Sequence, residues 1–230
     1  MTVTDVDLDA LDPDLERDDL LALIYRRATG RFRVDEWGFD RDLLAAVAPL
    51  ARLRWTLRIE ADHLLPEIGP ALLVHTRRLG ISEPAVLAAA VRRTTGRPLR
   101  TAGVPGRGPL APSARKLGGV PSNAADLRSL LRAGELVSIP LGREPLHPFH
   151  VPPVPEAPIG VALSVGAPIL PVAVCGHEAG RRWSIRFGAP IVTRRRRTTG
   201  EPADLAETTR DRLQQLLTQS RRKRADDPPA

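Results

Sequence analysis

From Ala71 to Phe187 the chain repeats one pattern: a short apolar run, then a longer stretch at helical spacing, then another apolar run. ALLVH (Ala71 to His75) precedes EPAVLAAAVRRTTG, and PLRTAG precedes a loop rich in glycine and proline. AADLRSLLRAG, opened by Asn123 and stopped by Gly134, leads to LVSIPL; a helix near Ile159 to Val165 and a strand from Ile169 to Cys175 come before the alternating RWSIRF. Strands that are apolar throughout are buried on both faces, and strands separated by helices lie parallel. The pattern predicts a single α/β domain with a mostly parallel sheet flanked by helices. A buried parallel strand can deliver a base to the edge of such a sheet, and ALLVH ends in His75.

At 230 residues, 42% of them hydrophobic, the chain suits one such domain with tails. Residues 1–31 read as an acidic N-terminal helical segment, with Asp12 as cap, Pro13 in the first turn, Leu20, Leu21 and Ile24 as a stripe, and Gly30 as stop. DRDLLAAVAPLARLRWTLRI reads as a second helix, capped by Asp40, with Leu43, Val47, Leu50 and Leu57 at helical spacing and a kink at Pro49. A terminal helix is expected from about Pro202 to Ser220. The α/β domain therefore spans 32–220, and 221–230 is expected to be a disordered basic and proline-containing tail. The uncharged run from Pro158 to Gly176 nearly matches a bilayer in length, but Gly166, Pro168 and Pro171 divide it into a helix, a turn and a strand. A lone cysteine, Cys175, and an acidic rather than basic-then-apolar start point to a cytosolic protein.

The formal charge is +7, and all of the 34 basic residues except Lys116 and Lys223 are arginine. The positive charge is concentrated late, in Arg194 to Arg197 and in RRKR (Arg221 to Arg224); Arg194 to Arg197 with Arg52, Arg54 and Arg58 fit peripheral association with an anionic membrane, on the inner face of the plasma membrane. As solvated faces they need no partner. Nucleic acid fits less well, because no binding module is recognisable and aromatic residues make up only 3%.

Residue by residue, several motifs carry two readings. His75 is a general base or a satisfied structural histidine at a strand end. Ser82, Glu83 and Pro84 suit a helix cap, an acidic first turn and the first helical proline. Gly106, Gly108 and Ala111 form a dinucleotide-like spacing, but the prolines at 105, 109 and 112 spoil a phosphate-binding helix start. His147 and His150 have no neighbours that would complete a metal set, so no metal is expected. Cys175, with His177 near it, reads as a buried small hydrophobe rather than a nucleophile.

Four blocks carry a resemblance: GPALLVHT (Gly69 to Thr76), ARKLGGVPSN (Ala114 to Asn123), LLRAGELVSIPLGRE (Leu130 to Glu144) and VGAPILPVAVCGHE (Val165 to Glu178). In order and spacing they resemble the lysophospholipid acyltransferase, or PlsC-like, family over roughly residues 32–218, and FRVDEWGFD upstream is similar to the lead-in of actinobacterial members. The resemblance implies a glycerolipid acyltransferase-like fold. It also implies transfer of an acyl group from acyl-CoA or acyl carrier protein, as co-substrate rather than cofactor, to the hydroxyl of a lysophospholipid-like acceptor.

In that family the strand ends in Asn-His and an aspartate orients the histidine as base. His75 matches the base; Val74 stands at the asparagine, Gly80 at the usual aspartate spacing and Ser82 at the longer one, leaving Glu83 as the nearest carboxylate. A second motif, Phe-Pro-Glu-Gly-Thr-Arg or a variant, corresponds to SIPLGRE: Gly142 and Arg143 match, which implies acceptor-phosphate contacts, and Leu141 replaces the glutamate. The loop after the second strand is more polar than in relatives. These departures imply a weakened acyltransferase, or alternatively a non-catalytic relative that binds lipid, acyl donor or a protein partner.

Overall fold

The computed structural model describes residues 34–76, 82–103, 111–142, 150–193 and 201–226. Its strands are β1 (Thr56–Glu60), β2 (Ala71–Thr76), β3 (Leu99–Ala102), β4 (Gly119–Val120), β5 (Leu136–Leu141), β6 (Ile169–Cys175) and β7 (Arg182–Phe187). Its helices are α1 (Arg41–Arg54), α2 (Ser82–Thr95), α3 (Ala111–Lys116), α4 (Ala124–Arg132), α5 (Glu156–Val165) and α6 (Glu201–Asp226), with a 3-10 turn at Asp62–Leu64. The strands form one sheet in the order β1-β7-β6-β2-β5-β3-β4. Every neighbouring pair is parallel except β6 and β7. This is the mostly parallel, helix-flanked α/β domain that the sequence pattern predicts.

β2 lies at the centre, between β5 and β6. Its residues face alternate sides, as a strand's must. Leu72 and Val74 join Val137, Ile139, Leu141, Ala173 and Cys175 under α4, α5 and α6. Ala71 and Leu73 join Leu136, Leu170, Val172 and Val174 under Val86, Leu87, Ala90 and Val91 of α2. With Ala71 to Val74 wholly buried, each large side chain contributes about 1.5–3 kcal/mol, and a one-residue slip would exchange the two faces. That register places His75 on the α2 side.

Local signals set most helix ends. Asp40 caps α1, its Oδ1 accepting the Leu43 N–H at 2.9 Å, and Asn123 caps α4 by accepting the Asp126 N–H at 2.8 Å. Gly134, at φ +82°, turns the chain out of α4 toward β5.

Four elements differ from expectation, two of them α3 and β4, which form where a loop rich in glycine and proline was expected. Thr56 to Glu60, expected to continue the second helix, is the edge strand β1. The Trp55 N–H still donates to Ala51 O at 2.9 Å, but Thr56 N–H turns to Arg181 O at 2.7 Å and starts the pairing with β7. α6 continues past Ser220 to Asp226, because Lys223 is tied to Glu60 of β1 at 2.8 Å. The expected N-terminal helix, Gly106, Gly108, Arg143, His147 and Arg194 to Arg197 lie outside the described residues.

Candidate acyl-transfer site

His75 is completely buried near the C-terminal end of β2, opposite Pro140 of β5 and Val172 of β6. This is the end of an open α/β sheet at which ligands bind. Its Nδ1 lies 3.2 Å from the Thr76 carbonyl oxygen. A carbonyl can only accept, so that contact is a hydrogen bond in the tautomer with the proton on Nδ1, which leaves the lone pair on Nε2.

Glu83 is 2% exposed on the first turn of α2, in the layer that packs on the His75 face of the sheet. Strand and helix therefore bring His75 and Glu83 to the same end of the same layer. Ser82 opens α2, but the acceptor at this helix start comes from elsewhere. The Glu178 carboxylate receives the Ser82 N–H at 3.2 and 3.3 Å and the Ser82 hydroxyl at 2.6 Å. The helix start is satisfied by an acid 96 positions away in sequence, which no local spacing signals.

Gly142 follows β5 directly, beside the strand end that carries His75. Among the described residues, a Cβ added there would meet nothing within 4 Å. Leu141 is different: it is 2% exposed, packed in the cluster under α4, α5 and α6, on the face away from His75. A glutamate at this position would bury a carboxylate in apolar surroundings, at a cost of several kcal/mol.

The remaining candidates separate from this site. Cys175 is buried at 4% in β6, on the opposite face from Val172 and Val174, as its reading as a small hydrophobe requires. His150 Nε2 accepts from Arg210 Nη2 at 2.6 Å, so it is directed at a cation. No group of three metal-ligating side chains occurs among the described residues. Arg54, read as part of a membrane-facing set, donates to the Glu178 and Gly180 carbonyls at 3.0 Å each. Among the described residues no helix is long and apolar enough to cross a membrane.

The 1-acyl-sn-glycerophosphate (LPA) acyltransferase PlsC from Thermotoga maritima has a similar solved structure, with a TM-score of 0.58 over 87% of each chain. The chain folds like a PlsC acyltransferase. Sequence identity to that structure is 16%, so the likeness is one of fold. No family model matches the chain, and no curated protein matches its sequence. The PlsC-like architecture expected from the four sequence blocks is therefore present. The sequence reading did not contain the Thr76 carbonyl or Glu178, because a backbone acceptor has no residue signature and Glu178 reaches the site only through the fold.

Proposed function

We propose that this protein is an O-acyltransferase that moves an acyl group from a thioester, acyl-CoA or acyl carrier protein, to the free hydroxyl of a lysophospholipid-like acceptor. The observation that carries the reading is His75: a buried imidazole at the C-terminal end of the central strand, with Nδ1 turned to a backbone carbonyl, in a PlsC-like fold. In the proposed step Nε2 takes the proton of the acceptor hydroxyl as its oxygen attacks the thioester carbonyl. The tetrahedral intermediate collapses with cleavage of the carbon–sulfur bond, and the imidazolium returns the proton to the leaving thiolate. Gly142 adjoins the strand end where the acceptor would enter, Arg143 would supply its phosphate contact as the resemblance implies, and Glu83, buried on the first turn of α2, is the candidate carboxylate to orient the base.

The rate is expected to be low. In serine proteases, replacing the orienting aspartate by asparagine costs about 10⁴ in rate, largely through the wrong tautomer. Here Gly80 and Ser82 stand at the two aspartate spacings of the family, and Leu141 replaces the glutamate of the acceptor motif. Leu141 in the core favours a second reading, a non-catalytic lipid- or donor-binding relative. Thiol release from acyl-CoA, with and without a lysophospholipid, separates the two: transfer requires acceptor-dependent release, and a binder gives none.

A further inference from the structure

We propose that Glu178 is a positioning residue for the His75 site, holding the start of α2 against the sheet edge. The inference rests on the acyl-transfer reading for its consequence in rate, but its geometry is independent of that reading. Leu170, Val172 and Val174 of β6 face α2, and the chain leaving β6 stays on that side until the Glu178 carboxylate meets the first turn of α2. All three of its hydrogen bonds to Ser82 engage the positive end of the helix, where an anion is favoured.

The turn bearing Glu178 is itself fixed from the other side. Arg54, the last residue of α1, donates to the Glu178 and Gly180 carbonyls at 3.0 Å, and Arg181 donates to the Leu53 carbonyl at 2.6 Å. These backbone bonds leave the Glu178 side chain to reach α2. Further along, α2 is anchored by fully buried Val86, Leu87, Ala90 and Val91, so the helix does not need Glu178 in order to form. What the carboxylate sets is the place of the first turn, which carries buried Glu83 and follows His75 closely in the chain. Small errors in the placement of a catalytic group are costly, about 100-fold for 1 Å.

The test uses the full chain with ¹⁵N-labelled histidine, the His75 ring signals being assigned by His75→Gln. Glu178→Gln keeps the shape and removes the charge; Ser82→Ala removes only the 2.6 Å bond. Both should move the His75 ring signals with the fold intact by circular dichroism, Glu178→Gln by more, and Glu178→Asp should restore part of the wild-type position. In acyl transfer, Glu178→Gln should lower kcat about 10- to 100-fold with the acceptor KM within about twofold. His75 signals that coincide with wild type in folded Glu178→Gln, with kcat unchanged, would overturn the proposal. A wild type that transfers no acyl group defeats the acyl-transfer reading alone, since the ring signals then decide the role of Glu178.

Discussion

The guanidinium carbon of Arg100 lies 4.2 Å from the centroid of the Phe39 ring, beneath a side chain that is itself 2% exposed. Arg100 is 1% exposed in the middle of β3, and it is ion-paired to Asp35 and, at 3.4 Å, to Glu135. Asp35 also accepts the Trp37 and Phe39 N–H groups through Oδ1, at 3.0 and 2.9 Å, and so shapes the segment that covers the arginine. A buried cation left short of its partner is costly, about 3–5 kcal/mol, and Glu135 holds the loss to the lower part of that range. Asp35→Asn retains the turn and loses the charge, whereas Asp35→Ala loses both. Urea unfolding should show both variants destabilised at unchanged m-value, Asp35→Ala by more; a midpoint for Asp35→Asn equal to wild type would remove the ion pair from the account.

Acid sensitivity is expected at the β1 edge. Glu60 lies between Arg186, whose Nε donates at 2.8 Å, and Lys223 of α6 at 2.8 Å, with Arg58 at 3.2 Å. Burial favours the neutral acid, but hydrogen bonds from Lys223 and Arg186 and their charges outweigh it, and the carboxyl is held below its ordinary value. A lowered folded-state pKa contributes stability that is complete above the unfolded-state value, about 4.3, and disappears as the pH falls through the folded-state value. Unfolding midpoints at pH 7 and pH 3 should therefore lie closer together in Glu60→Gln than in wild type. An equal separation in the two proteins would contradict the assignment.

Gly176 and Gly142 should respond oppositely to the same substitution. A Cβ on Gly176 would run into the Trp183 ring, and Trp183 is 3% exposed. Gly176→Ala must displace the indole and the turn that carries Glu178, with a loss of about 1–3 kcal/mol. Gly142→Ala meets nothing within 4 Å among the described residues and should stay within about 0.5 kcal/mol of wild type in the same urea experiment. Equal stabilities for the two variants would mean that the β6–β7 turn is not packed as described.

Cys175 gives a simple check on the sheet. A thiol 4% exposed in a central strand should resist alkylation in the native protein and react after denaturation. Rapid native labelling would place this strand elsewhere.

The central strands were legible because burial on both faces leaves a continuous apolar run: ALLVH, LVSIPL and ILPVAVC each read as strands and are β2, β5 and β6. β1 was not. Its residues Leu57, Arg58, Ile59 and Glu60 are half-buried or exposed at the edge of the sheet, Leu57 continues the spacing of Leu43 and Val47, and no glycine or proline stands between Arg54, where the helix ends, and Leu57. The same contrast holds at the site. His75 stands at the end of a strand and Glu83 at the start of a helix, both marked by local sequence. Glu178 enters through a pairing between segments 96 residues apart, and the Thr76 carbonyl through the backbone, so neither had a spacing to read.

His75 carries the account, and the direct measurement is the rate of acyl transfer from acyl-CoA to a lysophospholipid by the wild type and by His75→Ala, with both substrates saturating. A general base contributes about 10²–10⁴ in rate. Slow but acceptor-dependent transfer is expected of the wild type, with at least a 100-fold loss in a folded His75→Ala protein. Transfer at the same rate in the two proteins would contradict it, and would move the chemistry away from the end of β2.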